Sequence, residues 1–182
     1  ITRNKRKVEE ARAYLRKKRL YGKVTIQQWR SKNLPYSDNL VSILVVEHPD
    51  QISKDEIMRV LSPEGVAFLN KEGSWEKKVK PMPDGFDTWT HYLHGPSNNP
   101  VAMDSAVGPP RQLRWKSGPA WCRSHEFVSS FPIMVSDRQR VFYVFDDGPT
   151  GLEGKPVPQK WTLYARNAYN GVLLWKRSLK NW

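Results

Sequence analysis

Residues Leu40 to Val46 form an apolar run diluted only by Ser42, without the alternation of a strand that keeps one face in water. Such a run predicts a strand covered on both faces, as in a parallel sheet flanked by helices. Upstream, Val8, Ala11 and Leu15 recur at helical spacing behind Asn4, a good N-cap, so a helix is expected to run to about Leu20 and to stop at Gly22. Val24 to Trp29 reads as a strand, and Arg30 to Asn39 as a polar connection. Ser53 followed by Glu56 is a capping box opening a short helix with Ile57, Met58, Val60 and Leu61. Pro63 and Gly65 break that helix, and Val66 to Leu69 reads as the next strand. The order is helix, strand, strand, helix, strand, and the last crossover is a βαβ unit.

Beyond Trp75 the texture changes to a polar, Pro-broken stretch with a short helical turn expected at Trp89 to His94. Four β-rich segments follow: Phe131 to Val135, Val141 to Phe145, Trp161 to Ala165 and Val172 to Lys176. Asn170-Gly171 is the strongest short hairpin signal, because a type I′ turn needs positive φ at both central residues. The chain thus divides into an α/β region over residues 1–72, an aromatic Pro-rich connector over 73–128 and a mainly-β segment over 129–182.

Composition narrows the picture without deciding function. A chain of 182 residues with 38% hydrophobic and 12% aromatic residues can bury a core. The lone Cys122 excludes an internal disulfide. No apolar stretch approaches the ~18 residues of a membrane span. The formal net charge of +12 is concentrated between Arg3 and Lys32, where Glu9 and Glu10 are the only acids. That block reads as a solvated helix face meeting an acidic protein partner or an anionic surface. Nucleic acid fits it less well: Tyr14 and Tyr21 are the only aromatics beside Arg12, Arg16, Lys17, Lys18 and Arg19, and no recognition signature accompanies them.

Candidate chemistry is sparse. His91 and His94 would share one side of a helical turn, but zinc needs three or four ligands, and nothing fixes the approach of His125 and Glu126. Trp89, Tyr92, Trp115 and Trp121 favour semi-buried junctions. His91, His94, Arg123 and His125 are therefore expected to join one aromatic and polar layer between the two halves, without a metal. Cys122 reads as a small buried thiol rather than a nucleophile beside His125.

Two stretches resemble known families. "LPYSDNLVSILVVEH" followed by "EIMRVLSPEGVAFL" resembles the middle of a class I methyltransferase, on Leu34, Pro35, Tyr36, Asp38, Asn39, Arg59, Val60, Leu61, Pro63 and Gly65. The resemblance implies a partial doubly wound, Rossmann-like sheet with Leu40 to Val46 as a central strand. It also implies Pro35, Tyr36 and Asp38 as the residues near S-adenosylmethionine, should the parent protein bind it. The glycine-rich cofactor turn is missing, and Trp29-Arg30-Ser31 stands where the family often has an acid near the adenine; a cation there cannot accept the adenine amino hydrogen bond. A degenerate or amputated domain is expected. "LYARNAYNGVLLWK" resembles a repeat of the pyrroloquinoline-quinone-type β-propeller, on Ala165, Ala168, Asn170, Gly171 and Trp175, with Asn167 in place of the usual Asp. The resemblance implies about one blade, with Trp175 packed between neighbouring blades.

Together with "DTWTHYLHGPSNN", "VGPPRQLRW" and "WCRSHE", these stretches resemble planctomycete-type fusions of a methyltransferase-like region to such a propeller. The chain is accordingly expected to be an internal fragment whose exposed sheet edges are covered by the rest of the parent or by other subunits. The parent is expected to work outside the cytoplasm as a non-catalytic binding or scaffolding protein, with no cofactor in this fragment. The rival readings are a methyltransferase using S-adenosylmethionine, a quinoprotein oxidoreductase using pyrroloquinoline quinone, and a basic nucleic-acid-binding protein.

Overall fold

The computed structural model describes residues 1–106, 108, 113–118, 130–149 and 158–180. Among them the chain is mixed α/β and mostly sheet, and neither sheet closes into a barrel. Helix α1 spans Lys5–Lys17, with the Asn4 side chain accepting from the Lys7 backbone N–H at 3.2 Å. It stops before Leu20 and without using Gly22. Arg19 adopts a left-handed φ of 56°, and the Leu20 N–H returns to the Leu15 carbonyl at 2.9 Å, the wrap that satisfies a helix C-terminus. Val8 and Leu15 are the buried positions of the helix.

The strand expected over Val24 to Trp29 does not form. Only isolated bridges join Tyr21 to Val24 and Thr2 to Gln28, and this stretch instead laces the start of the chain to α1. The Arg12 Nε donates to the Ile26 carbonyl at 2.9 Å, and the Trp29 N–H to the Thr2 carbonyl at 2.9 Å. A half-polar sequence with no paired neighbour strand has its backbone groups satisfied one by one.

Strand β1 (Val41–Val46), helix α2 (Lys54–Val60) and strand β2 (Leu61–Lys71) make the βαβ unit, with β1 and β2 parallel. The capping box is present: Ser53 Oγ accepts from the Glu56 N–H at 3.2 Å. Ile57 of α2 packs against Val46, Leu61, Ala67 and Leu69, while Val60 joins Trp29 and Leu34. Strand β3 (Ser74–Val79) then turns back antiparallel on β2, so the first sheet has the order β1-β2-β3 and runs past residue 72. Its turn, Glu72-Gly73, has positive φ at both residues (52° and 92°), and the Asn70 side chain accepts the Gly73 N–H at 2.9 Å. The turn with two positive φ values, expected at Asn170-Gly171, is found here.

Among the described residues β1 is therefore an edge strand, and the central strand covered on both faces that its sequence predicts is not found there. α2 covers one face of the sheet, but Ile43 and Val45 remain 66% and 60% exposed on the other. An uninterrupted apolar run records a strand suited to two covers, and only one is on this side of the sheet among the described residues.

Strands β4 (Ile133–Asp137), β5 (Arg140–Asp146), β6 (Trp161–Asn167) and β7 (Leu173–Ser178) form a second sheet, each antiparallel to the next in chain order. The β6–β7 connection is longer than a two-residue turn. The Gly171 N–H bonds the Asn167 carbonyl at 2.9 Å, and only Gly171 (φ 71°) is left-handed there. Glycine is needed at that position twice over, because a Cβ would also come within 2.5 Å of the Trp115 ring.

Leu61, 0% exposed at the heart of the first core, and Ile43 on the bare face separate packing from composition. Leu61→Ala is expected to cost about 2–5 kcal/mol and Ile43→Ala well under about 1 kcal/mol, as read from urea unfolding of each variant.

Candidate functional site

The loop carrying Pro35, Tyr36 and Asp38 is held by Arg59. Helical spacing places Glu56 and Arg59 on one side of α2, and their side chains meet in two bonds of 2.7 Å: Arg59 Nε to Glu56 Oε2 and Nη2 to Oε1. Glu56 Oε1 also accepts the Leu34 N–H at 2.5 Å. Arg59 Nη1 donates to Asp38 Oδ1 at 2.5 Å and to the Tyr36 carbonyl at 3.0 Å, and Nη2 reaches the Leu34 carbonyl at 3.3 Å. The Arg59 hydrogen bonds hold the buried Glu56 carboxyl below its ordinary range against the opposing effect of burial, and Glu56 in turn raises Arg59. Pro35 is exposed and Tyr36 half-buried on this loop. One oxygen of Asp38 is already committed to the guanidinium, so the arrangement secures the entry to β1.

Lys80 is bound with equal thoroughness. Its ammonium donates to Asn39 Oδ1 (2.5 Å), the Met58 carbonyl (2.6 Å) and the Leu61 carbonyl (2.9 Å), which closes the C-terminal end of α2. Desolvation lowers its pKa. With all three N–H groups engaged, the amine is a cap and not a nucleophile.

Residues 91–94 form a tight turn rather than the expected helical one, with the His91 N–H donating to the His94 carbonyl at 3.1 Å and His94 at φ 70°. A left-handed His94 is incompatible with a helical turn at this point. His94 Nε2 meets Asp87 Oδ2 at 2.6 Å, and the Trp89 ring stands edge-on to His94 at 5.2 Å. His91 Nδ1 pairs locally with the Thr90 hydroxyl at 2.9 Å. The same segment docks on β4: Trp89 N–H donates to Ser136 Oγ, and Ser136 N–H to the Trp89 carbonyl. Asp87, holding the Met103 and Thr88 N–H groups as well as His94, is depressed by them, Met103 most of all. Among the described residues no group of three His, Cys, Asp or Glu side chains could hold a metal ion.

One face of the second sheet carries an aromatic and cationic cluster. Tyr143 and Tyr164 stack at 5.1 Å, the buried Arg166 donates to Tyr143 Oη at 2.8 Å and to the Gly171 carbonyl at 2.9 Å, and Tyr164 Oη donates to Asp147. Burial, followed by the Asp147 carboxylate, pushes the Tyr164 phenol well above its ordinary value. Trp175 sits 46% exposed on the outer strand, 6.0 Å from the Phe142 ring. Cys122, Arg123, His125, Glu126 and Trp121 lie outside the described residues.

Turns of the second sheet meet strands of the first. Arg138, at the tip of the β4–β5 hairpin, pairs with Glu64 at 2.9 Å, and Gln139 reaches the other Glu64 oxygen at 3.4 Å. The Asn170 amide donates to the Leu40 carbonyl (3.1 Å) and Ser42 Oγ (2.9 Å) at the start of β1. Beside these contacts lies an open cavity of about 710 Å³, whose lining includes Ile43, Val172, Leu174, Asp137, Arg140 and Asn167. Sequence reasoning did not single out this constellation. The available signal was the departure of Asn167 from the acid of the repeat pattern.

No protein-family model matches the chain, and no significant match is found among curated proteins or solved structures. No helix among the described residues is long and apolar enough to cross a membrane.

The depressed Glu56 carboxyl gives a pH test of the loop anchor. Its contribution is present above the ordinary carboxyl value of 4.5 and is lost as pH falls through the lower folded value. Urea midpoints followed from about pH 6 to about pH 2 should fall more steeply for the parent chain than for Glu56→Gln. Glu76 and Asp87 are also depressed and titrate in both proteins, so the difference isolates Glu56.

Proposed function

We propose that the chain is a non-catalytic binding and scaffolding piece of a larger protein built on a pyrroloquinoline-quinone-like β-propeller. The observation that carries this reading is the sequential four-stranded sheet ending in the Asn167–Gly171 connection, with Leu173, Leu174 and Trp175 exposed on an outer strand that has one hydrogen-bonded neighbour. A strand so dressed suits a neighbouring blade or subunit better than water.

The methyltransferase-like part supports a non-catalytic role through its bonding. Asp38 and the Tyr36 carbonyl serve Arg59, and the Arg30 guanidinium, standing where an adenine-accepting acid is wanted, is turned onto Gln28 Oε1 at 2.7 Å. The basic face of α1, where Arg16 and Lys18 lie over Tyr21 and Tyr14, suits an acidic partner or anionic surface. Work outside the cytoplasm belongs to the same reading.

Calorimetry of the full-length parent with S-adenosylmethionine, and an absorbance scan of the purified parent for bound quinone, test it. The expected result is no binding and no quinone band. Micromolar S-adenosylmethionine binding would make the parent a methyltransferase, and a stoichiometric quinone would make it an oxidoreductase.

A further inference from the structure

The geometry points to the cavity between the sheets as a receptor for the C-terminal carboxylate of a peptide ending in an aliphatic residue. Asp137, Arg140 and Asn167 are consecutive cross-strand neighbours on β4, β5 and β6, so their side chains stand in one row on one face and all line the cavity. Arg140 is the middle of that row, and no carboxylate lies within salt-bridge distance of its guanidinium among the described residues. Arg138 on the adjoining turn is already spent on Glu64.

Asn167 supplies the second donor. It is 7% exposed, and its Oδ1 accepts two N–H groups, from Tyr169 at 2.9 Å and Asn170 at 3.2 Å. Its Nδ2 has no partner among the described residues. The buried side-chain polar atom left without a partner is Ser62 Oγ, so the Asn167 Nδ2 is not sealed in the protein and opens on the cavity it lines. An aspartate here would hold the same turn through one oxygen and present the other, an anion, to the cavity. Asparagine keeps the turn and presents a donor instead.

A guanidinium beside an amide N–H fits the two oxygens of a carboxylate. Ile43, Val172 and Leu174, which also line the cavity, fit an aliphatic side chain. Asp137, flanking Arg140, can accept the N–H of an incoming backbone. A carboxylate-terminated peptide satisfies all of these groups together, whereas a simple anion leaves the apolar lining unused. This deepens the scaffolding reading by naming a partner, and rests on it for the non-catalytic role alone.

Fluorescence anisotropy of the full chain with a labelled hexapeptide ending in valine-leucine, as free acid and as C-terminal amide, tests the assignment. The free acid is expected to bind and the amide to be weaker by about tenfold or more. Asn167→Asp, which preserves both turn hydrogen bonds, should weaken the free acid by a similar factor with unchanged thermal unfolding, and Arg140→Gln should do likewise. Equal binding of acid and amide, indifference to Asn167→Asp, or no saturation by about 1 mM peptide overturns the proposal. Peptide binding by a parent that also carries a cofactor would leave the cavity assignment standing and remove the scaffolding reading. No peptide binding by a cofactor-free parent would do the reverse.

Discussion

The guanidinium of Arg59 is the point on which the first half of the molecule is hung. Three of its nitrogens reach a carboxylate on its own helix, a carboxylate on the preceding loop and two backbone carbonyls of that loop. The planar, five-donor head is what makes this possible; a lysine in its place offers a point charge and three donors. Because Leu34 is gripped at both its N–H and its carbonyl, its side chain is delivered into the cluster of Trp29 and Val60. Trp29 in turn holds the chain start, with Arg3 over its ring at 4.2 Å and its N–H on Thr2. A single residue thus connects α2 to the entry of β1 and, through Leu34 and Trp29, to the start of the chain.

Between the halves the logic is different. The apolar clusters of the first half draw on its own residues, and the hydrogen bonds that join the first sheet to the second come from turns of the second: Arg138 and Gln139 to Glu64, and Asn170 to the start of β1. Glu64 and Arg138 are both left-handed, at φ 59° and 48°, so each side of the main ion pair is offered from a bend in the chain. Turn tips meeting strands through a few polar side chains do not interdigitate as helices and sheets do, and a cavity remains beside them. An interface that is polar and thin around a void is common where two units are joined without a shared core.

The sequence made the elements with strong local chemistry legible. Asn4 and Ser53 cap as their side chains dictate, and the four later strands appear within two or three residues of their β-rich segments, since caps and alternation act over a few residues. What escaped was decided by partners. Val24 to Trp29 has strand-like residues but no strand to pair with. Leu40 to Val46 has the residues of a central strand and the position of an edge. β3 is polar enough to pass for a connection, and is a strand because Glu72-Gly73 folds it back onto β2. The cavity was illegible for the same reason: Asp137, Arg140 and Asn167 are neighbours only through strand register, which no local pattern encodes.

The exposed apolar positions and the cavity belong to one arrangement. Ile43 and Val45 lie on β1, the edge of the first sheet, and Leu173, Leu174 and Trp175 on β7, the edge of the second. Ile43 and Leu174 are also walls of the cavity. Two of the four edge strands therefore converge on the same opening, bridged there by Asn170, whose amide occupies the Leu40 carbonyl and Ser42 hydroxyl that a pairing strand would otherwise meet first. One side chain cannot satisfy two strand edges. It holds them at a fixed separation, which keeps them from pairing with each other and leaves room between them for a third segment. In a chain whose first sheet is covered on one side and whose outer strand is bare, this spacing is a more economical guard against self-pairing than charges scattered along the edges would be.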